Sequence, residues 1–318
     1  MDLSDAARRV LDACLALGAG ERCLIVTDRE KTEIGRALYI AASDLGAEAM
    51  LMEILPRTRD GEEPPAAVAA AMLAADVIVC ATARSLTHTQ ARKAAQAAGA
   101  RVATMPGITV DMFAHGAITA DYTRVAEVTR RVANWLSAGQ TVRLVKAGRE
   151  LTLSIAGRMA IASTGVYRER GQGGNLPSGE AYIAPVEGTA EGELVVDGSM
   201  AGLGRLAAPL FLRIAAGRLV RADGPGAERL TAMLDTSPQG RNVAELGIGT
   251  NDRARLTGVV LEDEKIAGTV HVAFGDNSTF GGTVQAGVHL DGVMLAPDLY
   301  IDGRQVLAGG RLVEGTHN

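Results

Sequence analysis

Apolar positions in the first part of the chain switch between two spacings. Residues 5–17 repeat at helical intervals and stop at Gly18 and Gly20, and residues 22–27 (RCLIVT) form a short unbroken apolar run. The alternation continues with a helix over 30–45 closed by Gly46, a strand over 47–54, a helix over 66–75 and a strand over 77–81. A helix over 90–98, a strand over 101–104 and a closing helix over 120–137 complete it. Short apolar strands separated by helices predict an α/β domain over 1–138, with a parallel sheet covered by helices on both faces.

Past residue 139 the spacing becomes strand-like. TVRLVKA, ELTLSIA, PLFLRIAAGRLV and DLYIDGRQVLAGGRLV alternate in twos and are broken by glycine-containing turns, with AAGR (215–218) and IDGR (301–304) as hairpin tips. One clear helix is expected, over 227–234. The second domain, 139–318, is therefore predicted to be β-rich α+β. The segment PRTRDGEEPP (56–65) reads as a surface loop.

Composition narrows the function classes. A net charge of −5 and an aromatic share of 3% leave no basic stripe interleaved with aromatics, so nucleic acid is not an expected partner. The densest basic spot, RERG at 168–171, reads as a solvated loop. Three cysteines (Cys14, Cys23 and Cys80) stand in apolar surroundings without metal-ligand spacing, which predicts buried reduced thiols. No apolar run reaches transmembrane length, and the N-terminal segment has no continuous apolar stretch. A soluble cytoplasmic protein is expected, with a small-molecule or peptide substrate and no membrane partner. No GxGxxG, Walker A or GxSxG element is present, which removes the common nucleotide-binding and serine-hydrolase readings.

Candidate chemistry lies in residues 180–291. Glu180 ends the turn NLPSGE, Glu245 interrupts VAELGI, His271 lies in TVHVAF, and His289 and Asp291 are two apart in VHLDGV. Two residues apart on a strand, His289 and Asp291 project to one face and can chelate one ion. Taken singly, each has a plainer explanation: a satisfied core histidine, a structural His–Asp pair, or a turn glutamate. Together, an unpaired charge inside an apolar run is costly, and carboxylates with imidazoles suit Zn, Mn, Co or ferrous iron. Three carboxylates and two imidazoles suffice for two ions sharing an activated water. Glu264 reads either as a general base or as part of a charged turn. Lys265 reads either as a substrate-binding cation or as a partner of that acidic run. His88, His115 and His317 read as surface or tail residues.

The motifs NLPSGE (175–180), AELGIGTN (244–251), DEK (263–265), HVAFG (271–275) and HLD (289–291) resemble the metallo-aminopeptidases of the aminopeptidase T and AmpS family. The resemblance implies a homodimeric hydrolase that cleaves an amide bond with two divalent ions (Zn, Co or Mn). It assigns Glu180, Glu245, His271, His289 and Asp291 as metal ligands; Glu264 and Lys265 remain the catalytic candidates read from the residues beside them. One departure is visible: the tyrosine of that family falls at Ser278, in the loop GDNSTFGG (275–282). A second branch, the 2,5-dihydroxypyridine 5,6-dioxygenases, is similar in the PSG turn, the ELVVD strand (193–197), HLD and VLAG. That resemblance implies one ferrous ion on two histidines and an aspartate, and its first histidine falls at Glu245. A metal-dependent hydrolase is the leading expectation, with the Fe(II) ring-cleaving dioxygenase and a non-catalytic metal-binding homologue as alternatives.

Overall fold

The structure is a computed structural model that describes residues 1–313, so His317 lies outside the described residues. The chain divides into two compact units, one of residues 1–126 and 165–178, the other of 127–164 and 179–318.

In the first unit the strands Arg22–Asp28, Glu48–Ile54, Val77–Ala81 and Arg101–Thr104 pair in parallel. Arg22–Asp28 lies between Glu48–Ile54 and Val77–Ala81. The chain thus crosses over in one direction and then the other. Right-handed crossovers then set the Thr32–Asp44 and Ala66–Ala74 helices on opposite faces. Leu24, Val26, Ile78, Cys80 and Val102 pack on one face with Val68, Met72, Ala91 and Ala95 of two helices. The α/β expectation holds. The sequence pattern did not reveal a fifth parallel strand, Gly173–Asn175, which pairs with Arg101–Thr104. Its GGN sequence has no apolar periodicity. It is held by backbone pairing, and by Asn175 Oδ1 accepting from Thr104 Oγ1 at 2.8 Å and Thr87 Oγ1 at 3.0 Å.

A single cut at 138/139 therefore differs from the observed division in two respects. Residues 165–178 return to the first unit, and the Tyr122–Ala138 helix runs past the division, with Val132, Ala133 and Leu136 buried in the second unit's core.

The second unit has two antiparallel sheets, of eight and seven strands among the described residues. One buried cluster joins them, drawing Leu144, Leu153, Leu194 and Leu212 from the first sheet and Ile183, Leu246, Val272 and Phe274 from the second. Hairpins turn at 215–218 and 301–304, and the Ala227–Leu234 helix forms, as the pattern predicts. Cys14, Cys23 and Cys80 are free and buried, their thiols pushed up to about 12 chiefly by burial. No helix among the described residues is long and apolar enough to cross a membrane.

Candidate metal centre

The seven-stranded sheet builds the centre on one of its faces. Its inner strands run Glu180–Ile183, Val243–Gly249, Val270–Gly275 and His289–Met294, each antiparallel to the next. Strand alternation divides their residues. Ala181, Ile183, Leu246, Ile248, Val270, Val272 and Phe274 enter the core, while Glu180, Glu245, His271, His289 and Asp291 take the other face. Opposite the polar residues stand small ones. Gly247 faces His271, Gly249 faces Glu180, Gly275 faces His289, and Ala273 lies opposite both Glu245 and Asp291. This leaves room for imidazoles and carboxylates to converge above the sheet. A Cβ on Gly247 would overlap Nε2 of His271.

The convergence is close. His271 Nε2 lies 3.2 Å from Glu245 Oε1 and 3.3 Å from Glu180 Oε2. His289 Nε2 lies 3.4 Å from Asp291 Oδ1 and 3.5 Å from Glu245 Oε2. Glu245 therefore stands between the two histidines. The Nδ1 of His289 is 2.7 Å from the backbone oxygen of Asp276. A carbonyl only accepts, so Nδ1 carries the proton and Nε2 is the nitrogen turned to the acids. Glu264 and Lys265 join the same group, at the end of the short Val260–Asp263 helix. Lys265 is fully buried, with its ammonium 2.5 Å from Glu180 Oε1 and in contact with Glu264. The two residues form an ion pair with each other, and the pair lies beside Glu180 in the same cluster.

Four carboxyls face one ammonium and two imidazoles. For His271 burial works against the proton, but Glu245, Glu180 and Glu264 outweigh it and raise the pKa to about 9. Burial likewise opposes the His289 proton, and Asp291 and Glu245 carry that group up to about 10. Burial would raise Asp291, yet His289 holds it down to about 2. Burial, with Glu180 and Asp291 nearby, pushes Glu264 up to about 8 against the pull of Lys265. Burial also raises Glu245, and Lys265 is raised because its two carboxylate partners overcome burial.

Three groups of these side chains are able to hold a metal ion: Glu180–Glu245–His271, Glu245–His289–Asp291, and Glu264–His271–Asp291, with ligand atoms within 4.8 Å of one another in each. The donor chemistry fits a divalent ion. Carboxylates outnumber the permanent cation, and Glu180 Oε2 is a buried acceptor that receives no hydrogen bond. The five ligand candidates named from the sequence come together, and so do Glu264 and Lys265. Ser278, at the position of the family tyrosine, instead donates its hydroxyl to Asp276 Oδ1 at 2.8 Å and stabilises its own loop. His88 and His115 belong to the first unit.

Two residues on the same face escaped the sequence reading. Tyr182 stands two positions beyond Glu180 on its strand, and Phe280 rises from the loop before His289. The Phe280 ring meets Tyr182 edge-on at 5.5 Å and His289 edge-on at 5.8 Å between centroids. For Tyr182 the signal was the i, i+2 spacing from Glu180. For Phe280 no sequence signal existed, because a loop has no periodicity.

Comparison with known proteins sets this site in context. The chain resembles the structure of 2,5-dihydroxypyridine dioxygenase from Pseudomonas putida KT2440, with a TM-score of 0.83 at 20% identity over 99% of this chain and 97% of that one. It also resembles wild-type AmpT from Thermus thermophilus, with a TM-score of 0.72 at 20% identity over 98% of each chain. At that identity both likenesses establish the fold. No curated protein matches the sequence. A family model described as NicX, 2,5-dihydroxypyridine 5,6-dioxygenase, matches residues 2–314. The chain belongs to the 2,5-dihydroxypyridine 5,6-dioxygenase family.

Proposed function

We propose that the protein is a metal-dependent hydrolase that cleaves an amide bond in a peptide or small molecule. Its metal ligands would be Glu180, Glu245, His271, His289 and Asp291. The observation carrying this reading is the donor at residue 245. A ferrous facial triad uses two histidines and one carboxylate. Here a glutamate stands 3.5 Å from His289 Nε2, beside the buried Glu180 and His271, which supply donors for a second ion. Bound divalent ions would supply a Lewis acid and a water acidic enough to attack at neutral pH.

The remaining roles fall to the chain's own groups. Glu264, held in the cluster by its contact with Lys265, would take a proton from the attacking water and return it to the departing amine. Water oxygen then bonds to the carbonyl carbon as the C–N bond breaks. The Lys265 ammonium, paired with Glu180 and Glu264, keeps positive charge where the carbonyl oxygen becomes negative. Buried on both sides, Glu245 holds its carboxylate between the two imidazoles.

A second reading has its own support. Family membership and the likeness to the Pseudomonas putida dioxygenase favour an Fe(II)-dependent ring-cleaving dioxygenase of a hydroxylated N-heteroaromatic compound. Glu245, His289 and Asp291 would then hold a single iron.

Elemental analysis of wild type, Glu180→Ala, Glu245→Ala, His289→Ala and Asp291→Ala, with anaerobic amine-release and oxygen-uptake assays, separates the readings. The hydrolase predicts about two Zn, Mn or Co ions per chain, fewer in every variant, and amine release without oxygen. One iron per chain, indifferent to Glu180→Ala and accompanied by oxygen consumption, would replace it with the dioxygenase. Stoichiometric metal with no turnover would leave a binding protein, and undiminished metal in His289→Ala and Asp291→Ala would refute the site.

A further inference from the structure

His289 is the open end of the cluster, with 30% of its side chain exposed against 0% for His271. His271 sits inside a strand that is paired on both sides. His289 is the first residue of its strand, and its ring is oriented by the 2.7 Å bond from Nδ1 to the Asp276 carbonyl. That carbonyl belongs to no strand. Val270–Gly275 ends one residue before it, and pairing resumes only at His289. A loop carbonyl turns away from an imidazole unless something holds it.

The holder comes from 90 residues away in the chain. Glu187 Oε1 accepts from Asn277 Nδ2 at 3.0 Å and from the Thr283 amide at 2.8 Å, so one oxygen ties both limbs of the loop. Arg158 contacts the other Glu187 oxygen and also donates to the Gly281 carbonyl between those limbs. Asn277, next to Asp276, is fully buried and passes the constraint on. Its amide donates to the Val284 carbonyl at 3.1 Å, and its Oδ1 accepts from the Val284 amide at 2.8 Å. A Cβ on Gly282 would overlap the Asn277 side chain, so the loop closes tightly round it. The bonds of Asp276 itself are internal: its amide donates to the Val288 carbonyl at 2.8 Å, and its carboxylate accepts from the Ala286 amide at 3.0 Å. Those bonds shape the loop, whereas Glu187 and Arg158 tie it to another part of the unit. Glu187 stands on a turn that is itself fixed, with the Val186 amide donating to Ser154 O at 2.8 Å and Thr189 Oγ1 to Val186 O at 2.7 Å. That turn follows the Glu180–Ile183 strand, so one short stretch carries a ligand candidate at its start and the loop anchor at its end.

We propose that Glu187, with Arg158 closing the clamp, is the positioning residue of His289, resting on the reading above that this histidine is a metal ligand. Glu187 keeps the Asp276 carbonyl aimed at Nδ1, which holds the proton there and presents the Nε2 lone pair to an ion. An imidazole oriented in advance binds a divalent ion more tightly than one free to rotate. A carboxylate suits the task because one oxygen accepts two N–H donors while a guanidinium holds the other. In this role Glu187 touches neither ion nor substrate.

The test uses the full-length protein, with Zn as the probe. Zn affinity is measured by competition with a chromophoric chelator. The His289 Nδ1 proton is followed in proton–nitrogen correlation spectra, assigned with His289→Gln. Glu187→Ala is expected to weaken Zn binding roughly ten- to hundredfold, the usual loss when the support of a ligating histidine goes, and to open the Nδ1 proton to exchange. Glu187→Gln keeps an acceptor for Asn277 and Thr283 and should recover most of both. Arg158→Gln should shift both readouts in the same direction by less, and as the milder change it carries the test if Glu187→Ala does not fold. Wild-type affinity with a protected proton in Glu187→Ala and Arg158→Gln would overturn the proposal. So would a lowered melting temperature with Zn affinity unchanged, which would leave Glu187 a purely structural residue. A wild type that binds no Zn would refute the metal reading instead. The Nδ1 proton, which the imidazolium also carries, would then still report whether Glu187 fixes it.

Discussion

At the scale of single residues, the centre is a set of competing charges. His271 and His289 have pKa values of about 9 and about 10 against an ordinary value of 6.5. A raised folded-state value means that the stabilisation is fully present below about pH 6.5 and is lost as pH climbs through 9 to 10. The melting temperature of chelated protein is therefore expected to fall across that window. Ligation needs neutral imidazole, so metal affinity should rise over the same range, with about one imidazole proton released per ion near pH 8, since each group holds one histidine. Calorimetric titration in buffers of different ionisation enthalpy measures the proton count, and a pH-independent affinity would contradict the two-histidine ligand set. Glu245, His271, His289 and Asp291 stood out in the sequence as ionisable groups inside apolar runs, and Glu180 as the acid that ends a turn leading into one. The place of Glu264 in the cluster was not legible, since DEK reads equally well as a solvated turn until Lys265 is seen to be fully buried.

At the scale of elements, strand alternation supplies the division of labour and glycine supplies the space. Gly247→Ala is expected to strip the protein of metal while leaving the fold largely intact, because the new methyl would overlap the His271 imidazole and displace it. Metal content per chain and circular dichroism check this, and a variant that keeps full metal content would show that His271 is not held as described. The strands bearing Glu245, His271 and the His289–Asp291 pair were legible from period-two patterning. Their order was not. The two histidines are neighbours because the Val270–Gly275 and His289–Met294 strands pair in a register that sets His289 opposite Gly275. Register depends on partners distant in sequence, so local pattern leaves it open. The Phe280 loop illustrates the same limit, as its shape comes from Asn277 and Glu187, 90 residues apart.

At the scale of the whole molecule, the two units draw on non-contiguous stretches of the chain. Asn175→Ala removes the acceptor shared by Thr87 and Thr104 and should destabilise the first unit by about 0.5–1.5 kcal/mol, the net worth of a hydrogen bond, because the two hydroxyls keep their 2.9 Å bond to each other. Urea denaturation measures this. Metal content should not change, because all seven residues of the centre lie in the second unit, and a loss of metal would show that the two units are coupled. By itself the sequence determined the periodic elements, the change from α/β to β-rich architecture, and which ionisable residues needed a partner. Those follow from local periodicity and from the penalty for burying charge, both of which act within a few residues. The tertiary structure alone decided that 165–178 returns to the first sheet, that Lys265 lies between two acids, and that Phe280 stands over His289. Each of these depends on long-range pairing and on the small residues that let opposite strands share a face, which no local window of sequence contains.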